Sequence, residues 1–275
     1  KKINPSTTGV IVISKSGLTA ETWCQCLTLL DFYKDNVSKT DLKKHFLVIT
    51  EEKETPLYRL AQSYGFRFLP HDPGIGGRFS VFSSVGLLPA LIVGVDVKKV
   101  RMGAKSVLET LTNADCAPVH GAAIVVALSK IHHIHSTVMM PYIDRFAAFK
   151  GWFRQLWAES LGKNNKGFTP IDAMGTVDQH SQLQLYLDGP HDKYFTIITS
   201  DCMGVGRSLS RSSFNDPYHL SGRCMGDLLD AEQRATIATL IRRQCPTRIL
   251  QVAEVNELSL GALLMHYMIE TILTA

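Results

Sequence analysis

Gly9-Val-Ile-Val-Ile-Ser14-Lys-Ser-Gly-Leu-Thr19 is a β-branched apolar run that breaks into small polar residues just ahead of Glu21 to Phe32, a plausible helix. An apolar run without polar alternation marks a strand covered on both faces, as in a parallel sheet. The signal recurs downstream. His45-Phe-Leu-Val-Ile-Thr50 reads as strand, Thr55 to Tyr64 as helix and Phe66-Arg-Phe-Leu-Pro70 as a third strand. Strands alternating with helices call for right-handed crossovers and an open, doubly wound sheet.

After Asp96 the pattern turns helical, with helices expected over Lys98 to Thr112, Pro118 to Ile131 and Tyr142 to Trp157. A second α/β series then follows. Lys193 to Thr199 and Arg248 to Ala253 read as strands, Gly222 to Arg243 and Leu258 to Leu273 as helices. The expected architecture is α/β, with two doubly wound parallel-sheet domains over 1–97 and 141–275 and a helical connector over 98–140. Each domain shows fewer strands than the roughly five or six of a full sheet of this kind.

Composition narrows the function classes. With 275 residues and 45% hydrophobic content, the chain can bury one or two proper cores. Its net charge of +4 is dispersed, which argues against a nucleic-acid surface and suits small anionic substrates. The six cysteines lack Cys-x-x-Cys spacing, so reduced thiols and a cytoplasmic setting are expected. Cys24 and Cys26 have no Cys/His pair to complete a metal site. Lys1-Lys-Ile-Asn-Pro lacks the apolar core of a signal peptide, and Val85 to Val97 is broken by Pro89, so no membrane span is expected. Without an initiator Met, the chain reads as a piece of a longer polypeptide.

Four segments carry polar residues that a packed core does not need. Ser14, Lys15, Ser16 and Thr19 stand between a strand and a helix, where free backbone N–H groups and the helix dipole attract anions. On spacing alone this is either an anion site or an ordinary turn capped by Thr19. Gly74, Gly76 and Gly77 precede Arg78, allowing close backbone approach to a ligand beside a cation; a flexible turn with a solvated arginine is the plain alternative. Gln155 and Glu159, four apart, share one helix face, though a glutamate there is also often just solvated or paired. Asp178-Gln-His180 is expected in a polar loop that opens directly into an amphipathic helical run, where a histidine can also simply satisfy a backbone carbonyl. His132, His133 and His135 are neighbours that do not converge on a helix and read as a solvated cluster. Walker A and dinucleotide glycine fingerprints are both absent, which sets aside a nucleotide-dependent dehydrogenase.

Taken in chain order, Ser14-Lys-Ser-Gly-Leu-Thr19, Gly76-Gly-Arg-Phe-Ser80, Ala158-Glu-Ser-Leu-Gly-Lys163 and Asp178-Gln-His-Ser-Gln182 resemble the glucose-6-phosphate isomerase family in its bacterial form. The resemblance implies two sugar-isomerase (SIS, flavodoxin-like) domains. It implies an aldose–ketose isomerase of glycolysis and gluconeogenesis, interconverting glucose 6-phosphate and fructose 6-phosphate through a cis-enediol with no metal or organic cofactor. Ser14, Lys15, Ser16 and Thr19 would hold the phosphate, with Gly77 and Gln155 against the substrate. Glu159 would carry the proton between C2 and C1, and Arg78 would hold the enediolate charge. His180 would assist ring opening, donated across a homodimer interface. Two parts of the family pattern are not found: a glycine-rich loop with a phosphate-contacting serine ahead of the first strand, and a late Asp-Gln…Gly-Val-Glu…Lys segment. The competing expectations are an SIS module that binds phosphosugars without chemistry, an amino-sugar-phosphate isomerase, and a bifunctional enzyme that also takes mannose 6-phosphate. Glu159 discriminates the first, since a sensor needs no base.

Overall fold

The computed structural model describes residues 3–210 and 217–275, and the chain divides into two compact units, Lys1–Val97 and Lys98–Ala275. Unit 1 runs β1 (Val10–Ile13), α1 (Ala20–Asn36), α2 (Lys39–His45), β2 (Phe46–Thr50), α3 (Pro56–Tyr64), β3 (Arg67–Pro70) and α4 (Ser84–Ile92). Its strands lie in the order β1-β2-β3, all parallel, with Val12 opposite Val48 and Val48 opposite Phe68. Val12, Leu30, Tyr33, Phe46, Val48 and Phe66 form the core, and the Phe46 and Phe66 rings stack at 4.7 Å. The boundaries of α3 follow local chemistry. The Thr55 hydroxyl accepts from the Tyr58 amide at 3.4 Å, Pro56 opens the first turn, and Gly65 closes the helix at φ 63°.

Unit 2 contains α5 (Val97–Glu109), α6 (Ala117–His132), β4 (Ser136–Pro141), α7 (Ala147–Leu161), β5 (Thr169–Asp172), α8 (Val177–Ser181), α9 (Leu183–Asp188), β6 (Lys193–Ser200), α10 (Met225–Arg242), β7 (Thr247–Val252) and α11 (Glu257–Thr274). The strand order is β5-β4-β6-β7, again all parallel. Two strands differ from the sequence expectation. β4 lies in the stretch expected as a helical connector, in the gap between the expected helices ending at Ile131 and starting at Tyr142, and α7 starts at Ala147 instead of Tyr142. Thr137-Val-Met-Met140 has only two β-branched residues, and a short apolar run cannot be told from a buried helix by periodicity. Pairing decides it, since Val138 and Met140 sit opposite Phe195 and Ile197 in the middle of the sheet. β5 was not anticipated because Pro170 interrupts it; the strand tolerates a proline because it lies at the sheet edge.

An ionic cluster ties β7 to α11 and α6. The Arg248 guanidinium donates to Glu270 Oε2 at 2.7 Å and to the Tyr267 hydroxyl at 3.0 Å, and His266 Nε2 lies 2.9 Å from the same carboxylate. Glu270 is fully buried. Burial alone would raise its pKa, but the His266 hydrogen bond and the Arg248 charge outweigh burial and hold it below the ordinary glutamate value. Gly121 of α6 makes room for the pair, because a Cβ there would meet Glu270 Oε2 at 2.4 Å. Among the described residues no single helix is long and apolar enough to cross a membrane.

Candidate active site

In unit 1 the β1–α1 loop is shaped by its glycine and its hydroxyls. The Ser14 amide extends the ladder to Ile49 O at 3.1 Å, and the chain then turns back through Gly17 N to Ser14 O at 3.2 Å. Gly17 has φ 64°, and a Cβ would lie 2.3 Å from Thr55 Oγ1, so only glycine fits the turn. Thr19 stands at the N-cap position of α1 without making a side-chain capping bond. Its hydroxyl lies instead 2.9 Å from Ser14 Oγ. The Thr-capped turn is therefore not what forms: two hydroxyls meet at the mouth of a helix whose first N–H groups Thr19 leaves uncapped.

Lys15 anchors this loop. Its backbone carbonyl accepts from the Glu51 amide at 3.0 Å and the Thr50 hydroxyl at 3.1 Å. Its ammonium donates to Pro73 O at 3.0 Å and lies 3.6 Å from Glu51 Oε1. Lys53 also pairs with Glu51, and the hydrogen bond from Lys53, with Lys15 adding its charge, holds the Glu51 carboxyl below the ordinary value. Lys15 thus joins the Ser14–Thr19 loop to the glycine segment that begins at Pro73. There Asp72 Oδ1 accepts from the Gly74 amide at 2.8 Å, and Gly77–Phe82 form a 3₁₀ turn stitched by Ser80 Oγ to Gly77 O at 2.6 Å. The Arg78 guanidinium lies 5.2 Å from the Phe79 ring centre. A Cβ at Gly77 would meet nothing within 4 Å, so packing does not demand this glycine; an open approach to the backbone does suit it.

In unit 2, α7 divides into two faces. Phe149, Phe153, Leu156, Trp157 and Leu161 are buried, and Phe153 packs edge-on against Tyr267 at 4.9 Å. Gln155 and Glu159 lie on the exposed face, with Gln155 Nε2 3.4 Å from Glu159 Oε2. Arg154 donates to Asp172 Oδ2 at the end of β5 at 2.6 Å, fixing the helix against the sheet edge. Aromatic burial behind and an ion pair at the flank set the direction in which the carboxylate faces.

The Asp178-Gln-His motif forms a short helix, α8, and not the polar loop expected from sequence. Asp178 accepts from the Met174 amide at 2.6 Å, the Ser181 hydroxyl at 2.8 Å and Gln182 Nε2 at 3.0 Å. Burial would raise the Asp178 pKa, yet these three donors outweigh it and hold the carboxyl below the ordinary aspartate value. Gln179 Oε1 is reached by the hydroxyls of Tyr142 at 2.7 Å and Thr236 at 3.0 Å. His180 is exposed, and lines an open pocket of about 770 Å³ with His219, Arg223 and Arg234. Each motif residue except His180 is thus spent on holding the segment together.

The structure brings Ser14, Lys15, Ser16 and Thr19 into one loop, links that loop through Lys15 to the segment of Gly77 and Arg78, and places Gln155 beside Glu159. His180 belongs to a separate element. Sequence reading missed Glu51, Asp172, Tyr142 and Thr236. Asp178 was in view as part of the motif, but Tyr142 and Thr236 gave no local signal. His132, His133 and His135 are exposed, and no group of three His, Cys, Asp or Glu among the described residues could hold a metal ion.

Comparison with known proteins gives a consistent picture. The family model for phosphoglucose isomerase matches residues 1–191. A probable glucose-6-phosphate isomerase of Methanococcus maripaludis is 36% identical over 95% of this chain and 59% of its own length. The glucose-6-phosphate isomerase of Rubrobacter xylanophilus is 36% identical over 98% of this chain and 63% of its own. The crystal structure of a hypothetical protein from Thermus thermophilus superposes with a TM-score of 0.91 at 32% identity, covering 99% of this chain and 66% of that one. The chain therefore spans about three fifths of the curated relatives it matches.

Proposed function

Because the chain belongs to the phosphoglucose isomerase family, we propose that it carries the proton-transfer and phosphate-binding parts of an isomerase that interconverts glucose 6-phosphate and fructose 6-phosphate. The observation that carries this is α7, where an aromatic face is buried and Gln155 and Glu159 are held side by side on the exposed face. A carboxylate so presented can remove the C2 proton of the opened aldose and return it to C1 of the ketose. The electron pair left at C2 forms the cis-enediolate, and Arg78 holds the charge on its oxygen. Ser14, Lys15, Ser16, Thr19 and the first turn of α1 take the phosphate, whose grip restricts the sugar's motion. Gly77 leaves the backbone open to the ligand, and His180 assists opening of the sugar ring. The exposure of His180 on α8 suits donation to a second copy in a homodimer. A cytoplasmic setting accompanies this reading, in keeping with six free thiols.

The test is exchange of solvent deuterium into C1 of fructose 6-phosphate, followed by NMR. The expected result is exchange in the parent that falls by about 10²–10⁴-fold in Glu159→Gln. Exchange that survives in Glu159→Gln would remove Glu159 from its role. Saturable binding of fructose 6-phosphate with no exchange in the parent would instead support a phosphosugar-binding module. Release of mannose 6-phosphate during turnover would mark the bifunctional variant.

A further inference from the structure

The segment that carries His180 is held by two hydroxyls from elements distant in sequence. Tyr142 follows β4, and its hydroxyl lies 2.7 Å from Gln179 Oε1 and 2.8 Å from Thr236 Oγ1 of α10. Thr236 Oγ1 completes a triangle, at 3.0 Å from the same Gln179 oxygen. The two hydroxyl hydrogens can fill only two of the three contacts at a time, and every such arrangement leaves at least one of them donated to the Gln179 oxygen. Tyr142 is buried, and burial, partly offset by the Thr236 hydrogen bond, pushes its hydroxyl up to about 12. It remains a neutral donor across the working pH range.

The backbone entering α8 needs such an anchor. Thr176, just before α8, adopts φ 39° and ψ −56°, a conformation that a β-branched residue takes only under constraint. Gly175 lies against Tyr142 so closely that a Cβ would meet the ring at 2.4 Å, and its amide donates to Pro141 O at 2.8 Å. Strain of this sort persists only when the surroundings hold it. Tyr142 contacts both ends of the strained step, through its ring at Gly175 and its hydroxyl at Gln179.

We propose that Tyr142 and Thr236 are positioning residues for His180: by clamping Gln179 they fix the turn of α8 on which the imidazole is presented. This rests on the assignment of ring opening to His180, and it predicts a defect confined to that step. Gln179 and His180 are adjacent on a five-residue helix, so release of one side chain lets the other rotate with the segment.

The experiment uses Tyr142→Phe, which keeps the ring packed on Gly175 and removes only the hydroxyl, with Thr236→Val as the second variant. Two readouts are taken on the same samples. In NMR spectra of the free protein, the His180 ring signals should shift or broaden in both variants while those of the other histidines stay in place. Unchanged His180 signals would overturn the proposal whether or not the protein is active. In C1 deuterium exchange, each variant should lose about tenfold on fructose 6-phosphate, whose ring must open. It should lose less than about twofold on 5-deoxyfructose 6-phosphate, which cannot close a furanose ring. Equal losses on both substrates would show a general structural defect and sink the idea. Absence of exchange in the parent on the acyclic substrate would count against the isomerase reading, and the NMR comparison would still decide this one.

Discussion

The Ser14–Thr19 loop of unit 1 and the Gly175–Gln182 segment of unit 2 are both polar stretches between regular elements, but they are held in different ways. The first is organised by its own residues: Gly17 makes the turn, Ser14 meets Thr19, and the supports at Thr50, Glu51 and Thr55 come from the next strand and the helix after it. The second depends on Tyr142 and on Thr236, which are 94 positions apart. A loop that carries its own geometry can be read from its residues; a segment clamped from outside exposes only its motif. Each is also braced by a carboxylate, the first from outside by Glu51 and the second from within by Asp178.

Breaking the first loop should have the largest effect. Gly17→Ala places a Cβ 2.3 Å from Thr55 Oγ1 at a left-handed φ, and we expect unit 1 to lose about 2–4 kcal/mol. Denaturant melts read by hydrogen exchange in β1–β3 measure this, and a loss below about 1 kcal/mol would show that the loop is less self-determined than described. The second segment should fail more mildly. Asp178→Ala strands the Met174 amide and releases Ser181 and Gln182. About 1–3 kcal/mol is expected, with lost exchange protection centred on α8 and α9 and none in unit 1.

The smallest effect is on pH dependence. Asp178 has a folded pKa below its unfolded one, so its stabilisation is complete above the ordinary aspartate range. It fades as pH falls from about 4 through the lower folded value. Glu51 is shifted the same way, so both segments should loosen only in acid. Thermal melts between about pH 2 and pH 6 should show an acid-side drop in Tm that Asp178→Asn lessens for unit 2, where Glu270 keeps its own share, and Glu51→Gln lessens for unit 1. Identical profiles in parent and variants would mean that the two carboxylates are not braces.

The same contrast explains how far the sequence could be followed. β1 and β2 were legible as short apolar runs and β6 as a run of aromatic and β-branched residues, and α3 announced its own start and stop through Thr55, Pro56 and Gly65. β4 and β5 were not legible, since Met139 and Met140 suit either structure and Pro170 argues against any strand until it is seen to be at the edge. Among site residues, Ser14, Lys15, Gly77, Arg78, Gln155, Glu159 and His180 carried residue types and spacings with chemical meaning. Glu51 and Asp172 stand in no such pattern, and they acquire their roles only by meeting Lys15 and Arg154.

By itself the sequence determined the alternation of strands and helices, the glycine that turns the first loop, and the face of α7 that bears Gln155 and Glu159, because these depend on backbone preference and helical period over a few residues. The tertiary structure alone decided that β4 stands at the middle of its sheet and that Arg248, Glu270 and His266 form one buried cluster. It also decided that Tyr142 and Thr236 close on Gln179. Those outcomes rest on pairing and hydrogen bonding between segments far apart in the chain, where no local pattern records which side chains will meet.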